Sequence, residues 1–200
     1  MKNFAAFLFA FGLATGSISA RAQNAYFGLG FGQASLDIAP CGFDISCTSD
    51  ESDTAIKVFG GVKFNPNLAV EAAFIYGGEY SQSGTDSSLG TATANIEVRG
   101  INLAVLGFLP VSERFSLQGK VGLFIWDMDV TVRSITFAPF GYSSFPESGT
   151  DPMFGIGGTI NISKQIGILV EYETFLDVGN ASTTGKFDIN VLSGSLVYRF

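Results

Sequence analysis

The sequence predicts an all-β protein, an eight-stranded antiparallel up-and-down transmembrane β-barrel. Apolar residues alternate with small or polar ones along most of the chain, which is the period of β-strands that have two different faces. Glycine (25 residues) and phenylalanine (20 residues) are abundant among the 200 residues, and only 14% of the chain is charged. The connections between the alternating segments are long and short in turn, a pattern typical of barrels that cross a membrane.

The composition argues against several classes of function. The chain contains no histidine, so imidazole bases and imidazole metal ligands are absent, and we expect neither an enzyme nor a cofactor. The formal net charge of −7 argues against a nucleic-acid partner, whose phosphates require a basic surface. No apolar run reaches the ~18 residues of a membrane-spanning helix.

Residues 1–22 have the layout of a secretory signal peptide. Lys2 supplies the positive start, the segment 4–14 is apolar, and Ala20-Arg21-Ala22 is a small-x-small cleavage site. This order of features is typical of exported proteins. We therefore expect the barrel domain to occupy residues 23–200.

Eight segments alternate clearly, and each is predicted to be a strand. In the first, Phe27, Leu29 and Phe31 share one face, whereas the glycines between them share the other. The predicted strands cover residues 27–32, 54–64, 68–76, 101–106, 117–126, 154–161, 167–173 and 192–200.

The connections divide into two groups by length. Long connections are expected at 37–53, 81–94, 133–151 and 178–186, and short turns at 65–67, 111–114 and 163–165. With eight strands, this alternation brings both chain ends to the side of the short turns. A closed barrel of this kind leaves no open sheet edge in lipid.

The chemistry of the two faces favours a membrane over water outside the barrel. One face is aliphatic and aromatic, whereas the other is mainly Gly, Ser, Thr and Asn with a few charges. Small residues suit the narrow interior of an eight-stranded barrel. Alternation alone leaves open a soluble ligand-carrying barrel, in which the apolar face would point inward.

Two cysteines, Cys41 and Cys47, lie close together in the first long connection. In an exported protein this spacing favours a local disulfide. Two free thiols are the alternative.

Three charged residues have inward parity near the middle of their strands: Glu71, Lys120 and Glu171. An unpaired charge in a narrow interior is costly, so we expect these residues to form ion pairs. The pairs would either plug the lumen or gate a small pore in which Lys120 exchanges partners between Glu71 and Glu171.

The third long connection carries four aromatic residues, Phe137, Phe140, Tyr142 and Phe145. They would either join the aromatic girdle at the membrane interface or form a contact patch for a ligand on a host or neighbouring cell.

Several stretches resemble the OmpA-like outer-membrane β-barrel family. They are FGGVKFNPNLAVEAAFIYG (59–77), GFLPVSERFSLQGKVGLFIW (107–126), GILVEYE (167–173) and SGSLVYRF (193–200). The resemblance implies insertion into the outer membrane of a Gram-negative bacterium, among outer-membrane lipid and lipopolysaccharide. It also implies that the terminal strand, with Tyr198 and Phe200, is the signal for the barrel assembly machinery.

The chain departs from this family in two ways. The resemblance does not extend to a peptidoglycan-binding domain, because the sequence stops at Phe200. Leu106 and Leu169 stand at interior positions where the family has basic residues, so its interior gating network is not carried over whole. We expect a structural or surface-interaction barrel with its loops facing the exterior; the alternative is a small low-conductance pore gated by interior ion pairs.

Overall fold

The computed structural model describes residues 24–37, 46–50, 52–86, 90–134, 142–182 and 185–200. The predicted signal segment lies outside these residues. No helix in the described ranges is long and apolar enough to cross a membrane. The strands are β1 (Ala25–Asp37), β2 (Ser46–Asp50), β3 (Ser52–Asn65), β4 (Leu68–Asp86), β5 (Gly90–Pro110), β6 (Phe115–Ser134), β7 (Tyr142–Asn161), β8 (Ile166–Asn180) and β9 (Gly185–Arg199).

Eight of these strands form a closed antiparallel barrel, as the sequence predicts. Each strand pairs with its neighbour in the order β4-β3-β1-β9-β8-β7-β6-β5, and a β4–β5 pairing closes the ring. The short strand β2 is an addition in a segment expected to be loop. It pairs with the far end of β4, from Ser46 opposite Thr85 to Asp50 opposite Ser81.

The strands continue well into the segments that were expected to be long loops. β4 reaches Asp86 before β5 begins at Gly90, and β5 is 21 residues long. A strand needs only about 9–11 residues to cross a bilayer, so these hairpins project beyond it. The predicted loops at 81–94, 133–151 and 178–186 are therefore wrong over most of their length. Strands that leave the membrane can carry polar residues on their outer face, which makes them look like loops in the sequence.

The outward face carries a band of exposed apolar side chains, as expected for contact with lipid. The band includes residues from all eight barrel strands: Phe27, Leu29, Phe31, Ile56, Val62, Leu68, Val70, Leu103, Val105, Leu117, Val121, Leu123, Phe154, Ile156, Ile168, Val170, Leu192 and Leu196.

The short turns at one end of the barrel are held by side chains that accept backbone hydrogen bonds. The Asn67 amide donates to Asn65 Oδ1 over 2.8 Å. Ser112 Oγ accepts from the amide of Phe115, and Ser163 Oγ accepts from that of Ile166. These local bonds stabilise tight turns and define what we call the short-turn end.

The interior differs from the expected small and polar filling. Toward the long-loop end it is a dry apolar core, in which the Phe124 and Phe175 ring centroids lie 4.4 Å apart. The buried side chains that accompany them are Ala34, Leu36, Ala55, Ile75, Tyr80, Val98, Trp126, Met128, Met153, Val178, Ile189 and Val191. The inward glycines leave room for this packing. A Cβ on Gly100, for example, would overlap the ring of Phe124.

Asp53, near the long-loop end of β3, holds a bulge in β4. The register of β4 shifts between Tyr76 and Glu79, and Gly78 has a φ of +88° that favours glycine. Asp53 Oδ2 accepts a hydrogen bond from the Glu79 amide (2.7 Å), and Oδ1 accepts one from the Thr54 amide (2.6 Å). These bonds hold the pKa of the Asp53 carboxyl below its ordinary value of 3.8.

We predict that the stabilising effect of Asp53 depends on pH. A carboxyl with a lowered pKa in the folded state stabilises the protein above its ordinary pKa, and the contribution is lost as the pH falls through the lowered value. In urea unfolding, wild type should exceed Asp53→Asn at neutral pH, and the gap should shrink below roughly pH 4.

Asp127→Asn is the matched control, because Asp127 is exposed on β6 outside the apolar band. Its difference from wild type should stay small at every pH. A gap for Asp53→Asn that is the same at low and at neutral pH would contradict the role assigned to this carboxylate.

Candidate functional site

Five charged side chains meet inside the barrel at mid-depth, and we call them the ionic cluster. Lys57 comes from β3, Glu71 from β4, Lys120 from β6, and Glu171 and Glu173 from β8. Their side chains are no more than 1% exposed. Each lies on the inward face of its strand. Glu171 and Glu173 share that face because side chains two residues apart in a strand point the same way.

Lys120 contacts all three carboxylates. Its Nζ lies 2.7 Å from Glu173 Oε1, 2.9 Å from Glu171 Oε1 and 3.2 Å from Glu71 Oε1. The three donors of an ammonium group suit this arrangement. Lys120 is thus the cation on which the three acids converge.

Lys57 bridges the two acids of β8 from the opposite side. Its Nζ is hydrogen-bonded to Glu171 Oε2 and lies 2.7 Å from Glu173 Oε2. The same nitrogen lies 5.0 Å from the centre of the Phe59 ring, a distance that permits a cation–π contact. Glu171 and Glu173 therefore each contact both lysines.

Neutral groups add one hydrogen bond to each of the three carboxylates. The Tyr26 hydroxyl donates to Glu71 Oε2 (2.9 Å), Gln118 Nε2 donates to Glu171 Oε1 (3.1 Å), and Asn102 Nδ2 donates to Glu173 Oε1 (3.2 Å). Hydrogen bonds of this kind are needed if buried charges are not to destabilise the fold.

β7 contributes space rather than charge. Gly155 faces the cluster, and a Cβ there would lie 2.9 Å from Lys120 Cε and 3.2 Å from Glu173 Cγ. Such a contact would force the lysine or the glutamate to move. The glycine therefore allows both long side chains to cross the lumen.

The cluster leaves almost no open path through the barrel. The cavity that reaches Glu71 from the short-turn end, between Tyr26 and Leu169, has a volume of about 20 Å³. A cavity of that size holds roughly one water molecule. On the other side lies the apolar core around Phe124 and Phe175. The arrangement can act as an electrostatic plug.

The sequence analysis singled out Glu71, Lys120 and Glu171, and the structure brings these three together. It missed Lys57 and Glu173. Both have inward parity, and Glu173 follows Glu171 by two residues on the same face, so parity was the signal that could have found them.

The other predicted sites are only partly described. Cys41, Phe137 and Phe140 lie outside the described residues, as do the side chains of Cys47 and Tyr142. Phe145 lies on β7 and is 53% exposed. At the opposite end, the exposed rings of Tyr198 and Phe200 pack edge to face with their centroids 5.2 Å apart. The disulfide, the aromatic contact patch and the assembly signal remain predictions.

Comparison with known proteins places the barrel in a family. Residues 20–200 match the OmpA-like transmembrane domain. Outer membrane protein A of Klebsiella pneumoniae is 27% identical over 145 residues, which are 71% of this chain and 40% of that protein. Outer membrane protein A of Salmonella typhi is 28% identical over 153 residues, which are 75% of this chain and 41% of that protein. The chain thus spans about two fifths of the length of these relatives.

Two solved structures share the fold. Neisserial surface protein A aligns with a TM-score of 0.61 at 12% identity, over 88% of this chain and 97% of that one. Ail of Yersinia pestis aligns with a TM-score of 0.50 at 15% identity, over 88% and 99% of the two chains. The match over residues 20–200 and the closed eight-stranded barrel show that the chain belongs to the OmpA-like transmembrane domain family and lies in the cell outer membrane.

Proposed function

We propose that this protein is a closed, non-catalytic barrel that supports the envelope and makes surface contacts through its long-loop end, which faces the exterior. The observation that carries the proposal is the ionic cluster, in which five side chains at most 1% exposed fill the lumen. A barrel with this interior is suited to anchoring a surface structure rather than to transport or catalysis.

The hairpins that project past the apolar band supply the contact surface. Among the described residues there, acids outnumber bases, although exposed Asp129 and Asp177 pair with Arg99 and Lys186. Ail was solved with the heparin analogue sucrose octasulfate, which is an anion. An acidic surface would repel a polyanion, so we propose a cationic or apolar partner on a host or neighbouring cell, which exposed Phe145 would also suit.

Below the hairpins, lipid and lipopolysaccharide would surround the apolar band. The exposed rings of Tyr198 and Phe200 would serve the barrel assembly machinery. Both assignments rest on the position of these residues on the outward face.

A small gated pore is the second candidate, and one contact favours it. Lys120 Nζ lies within 3.2 Å of oxygens from three carboxylates. A lysine that already contacts several partners can move among them without passing through an unpaired state.

We predict that Lys120→Met destabilises the barrel. Glu71 would lose its only lysine, and removing one partner of a buried pair typically costs about 3–5 kcal/mol. Adding Glu71→Gln should recover part of the loss, because the orphaned charge is removed as well. Urea unfolding in detergent at neutral pH measures both effects.

Lys186→Met is the control, since Lys186 is 46% exposed and 3.7 Å from Asp177. Exposed pairs contribute at most about 1 kcal/mol. An unchanged midpoint for Lys120→Met would mean that water screens the lumen, which would favour the pore.

Planar-bilayer recording separates the closed barrel from the pore. The wild-type protein should show no resolved single-channel conductance. The double variant Lys57→Met/Lys120→Met removes both cations of the cluster. If the cluster is what blocks the lumen, this variant should conduct where wild type does not. Regular conductance steps in wild type that disappear in Glu171→Gln would support the gated pore instead.

The orientation is tested by cysteine labelling in intact cells, with Cys41 and Cys47 replaced by serine. Ser148→Cys, exposed on β7 beyond the apolar band, should react with a membrane-impermeant maleimide. Ser163→Cys, in a short turn, should react only after the outer membrane is permeabilised. The reverse pattern would overturn the proposed orientation.

A further inference from the structure

The short-turn end of the barrel is basic, although the whole chain has a formal net charge of −7. Four cations surround its opening: Lys63, Arg114, Lys164 and Arg199. We call this opening the basic mouth. Within the described ranges, the only acidic residue at this end is Glu113, and none of the four cations forms a salt bridge. This differs sharply from the ionic cluster, where every charge has a partner.

Two of these cations, Lys63 and Arg199, line both this opening and the small cavity that reaches Glu71. A Cβ on Gly167 would lie 3.0 Å from the Arg199 guanidinium. Because the two side chains carry like charges at one opening, they repel each other. Lys63 Nζ lies 4.1 Å from the centre of the Phe108 ring, which attracts the ammonium group but does not neutralise it. Both side chains are half-buried, so water screens their repulsion only in part.

The basic mouth borders a solvent-open cavity of about 510 Å³, a size within the range of small-ligand sites. Hydroxyl groups line it beside the cations. Ser112 and Ser163 accept hydrogen bonds from turn amides, and each still has its own O–H to donate. The walls therefore offer several donors around a positive centre.

We propose that the basic mouth binds a phosphate-type anion, either the phosphate of a phospholipid headgroup or a free phosphate ester. Guanidinium groups bind phosphate oxygens in pairs, and lysine adds a point charge. Donors arranged around the cavity suit a tetrahedral group with several oxygens better than a planar carboxylate, which has two. Binding would also relieve the repulsion between Lys63 and Arg199.

The test measures phosphate binding to the whole chain, refolded in a phosphate-free zwitterionic detergent. Glycerol 3-phosphate and inorganic phosphate are titrated by calorimetry into wild type, Lys63→Gln, Arg199→Gln and Lys186→Gln. Wild type should bind saturably, and each of the first two variants should bind about tenfold more weakly or worse, as loss of a charged hydrogen bond predicts. Lys186→Gln, which changes a lysine at the opposite end of the barrel, should bind like wild type.

A second arm distinguishes the two sources of phosphate. Wild type in the same phosphate-free detergent, with or without added phosphatidylglycerol, is analysed by native mass spectrometry. If the ligand is a lipid headgroup, phosphatidylglycerol should be retained by wild type, lost from Arg199→Gln, and should block the binding of glycerol 3-phosphate. If the ligand is a free ester, binding of glycerol 3-phosphate should be the same with and without the lipid.

The proposal is overturned if neither phosphate nor phosphatidylglycerol binds, or if Lys186→Gln weakens binding as much as Arg199→Gln. None of these results depends on whether the barrel conducts ions or on which end faces the exterior.

Discussion

The contact between Lys120 and three carboxylates is the interaction around which the interior is organised. Ionised groups removed from water destabilise a protein unless their neighbours compensate for the lost hydration, and these five side chains are at most 1% exposed. Lys120 contacts Glu71, Glu171 and Glu173, and Lys57 contacts Glu171 and Glu173 as well. The donors on neighbouring strands and the glycine on β7 follow from the same requirement. Three strands, β1, β5 and β6, supply hydrogen bonds and β7 supplies volume, so the chemistry of these inward positions depends on the cluster.

The barrel is layered along its axis, and each layer uses a different means of filling the lumen. Toward the long-loop end, apolar side chains such as Trp126 and Met153 pack as they would in a soluble β-protein. The ionic cluster occupies the middle, and the basic mouth opens beyond it. The apolar layer explains why the hairpins can extend past the bilayer as paired strands. They have a core of their own, so their order does not depend on lipid.

The sequence predicted which side chains of each strand point inward, but not how deep in the barrel each of them lies. Alternation shows which side chains point inward, because the pleat of a strand repeats every two residues. It cannot show that Lys57 on β3 lies level with Glu173 on β8, since that depends on the stagger of all the strands between them. The sequence missed the strand ends for a related reason, because both faces of a strand change composition beyond the membrane. The strand predicted on β6 therefore stopped at residue 126, before Asp127 and Asp129. The closing pair β4–β5 and the strand order could be inferred, because an even number of hairpin-connected strands in lipid must close.

The neighbours of the ionic cluster bear on whether it opens. Leu106 and Leu169 stand where the resemblance to the family would place basic residues, and both are buried. Leu106 lies opposite Lys120 on the adjacent strand, and Leu169 lines the small cavity below Glu71. Phe124 and Phe175 cover the other side. A conducting path would therefore require more than an exchange of partners by Lys120. The apolar groups on both sides would also have to separate and admit water, while the charges between them lost the low-dielectric surroundings that strengthen their attraction. Separating the apolar groups and weakening the charge pairs would both cost free energy. The packing around the cluster therefore adds to the support that the ion pairs give for a barrel that stays closed.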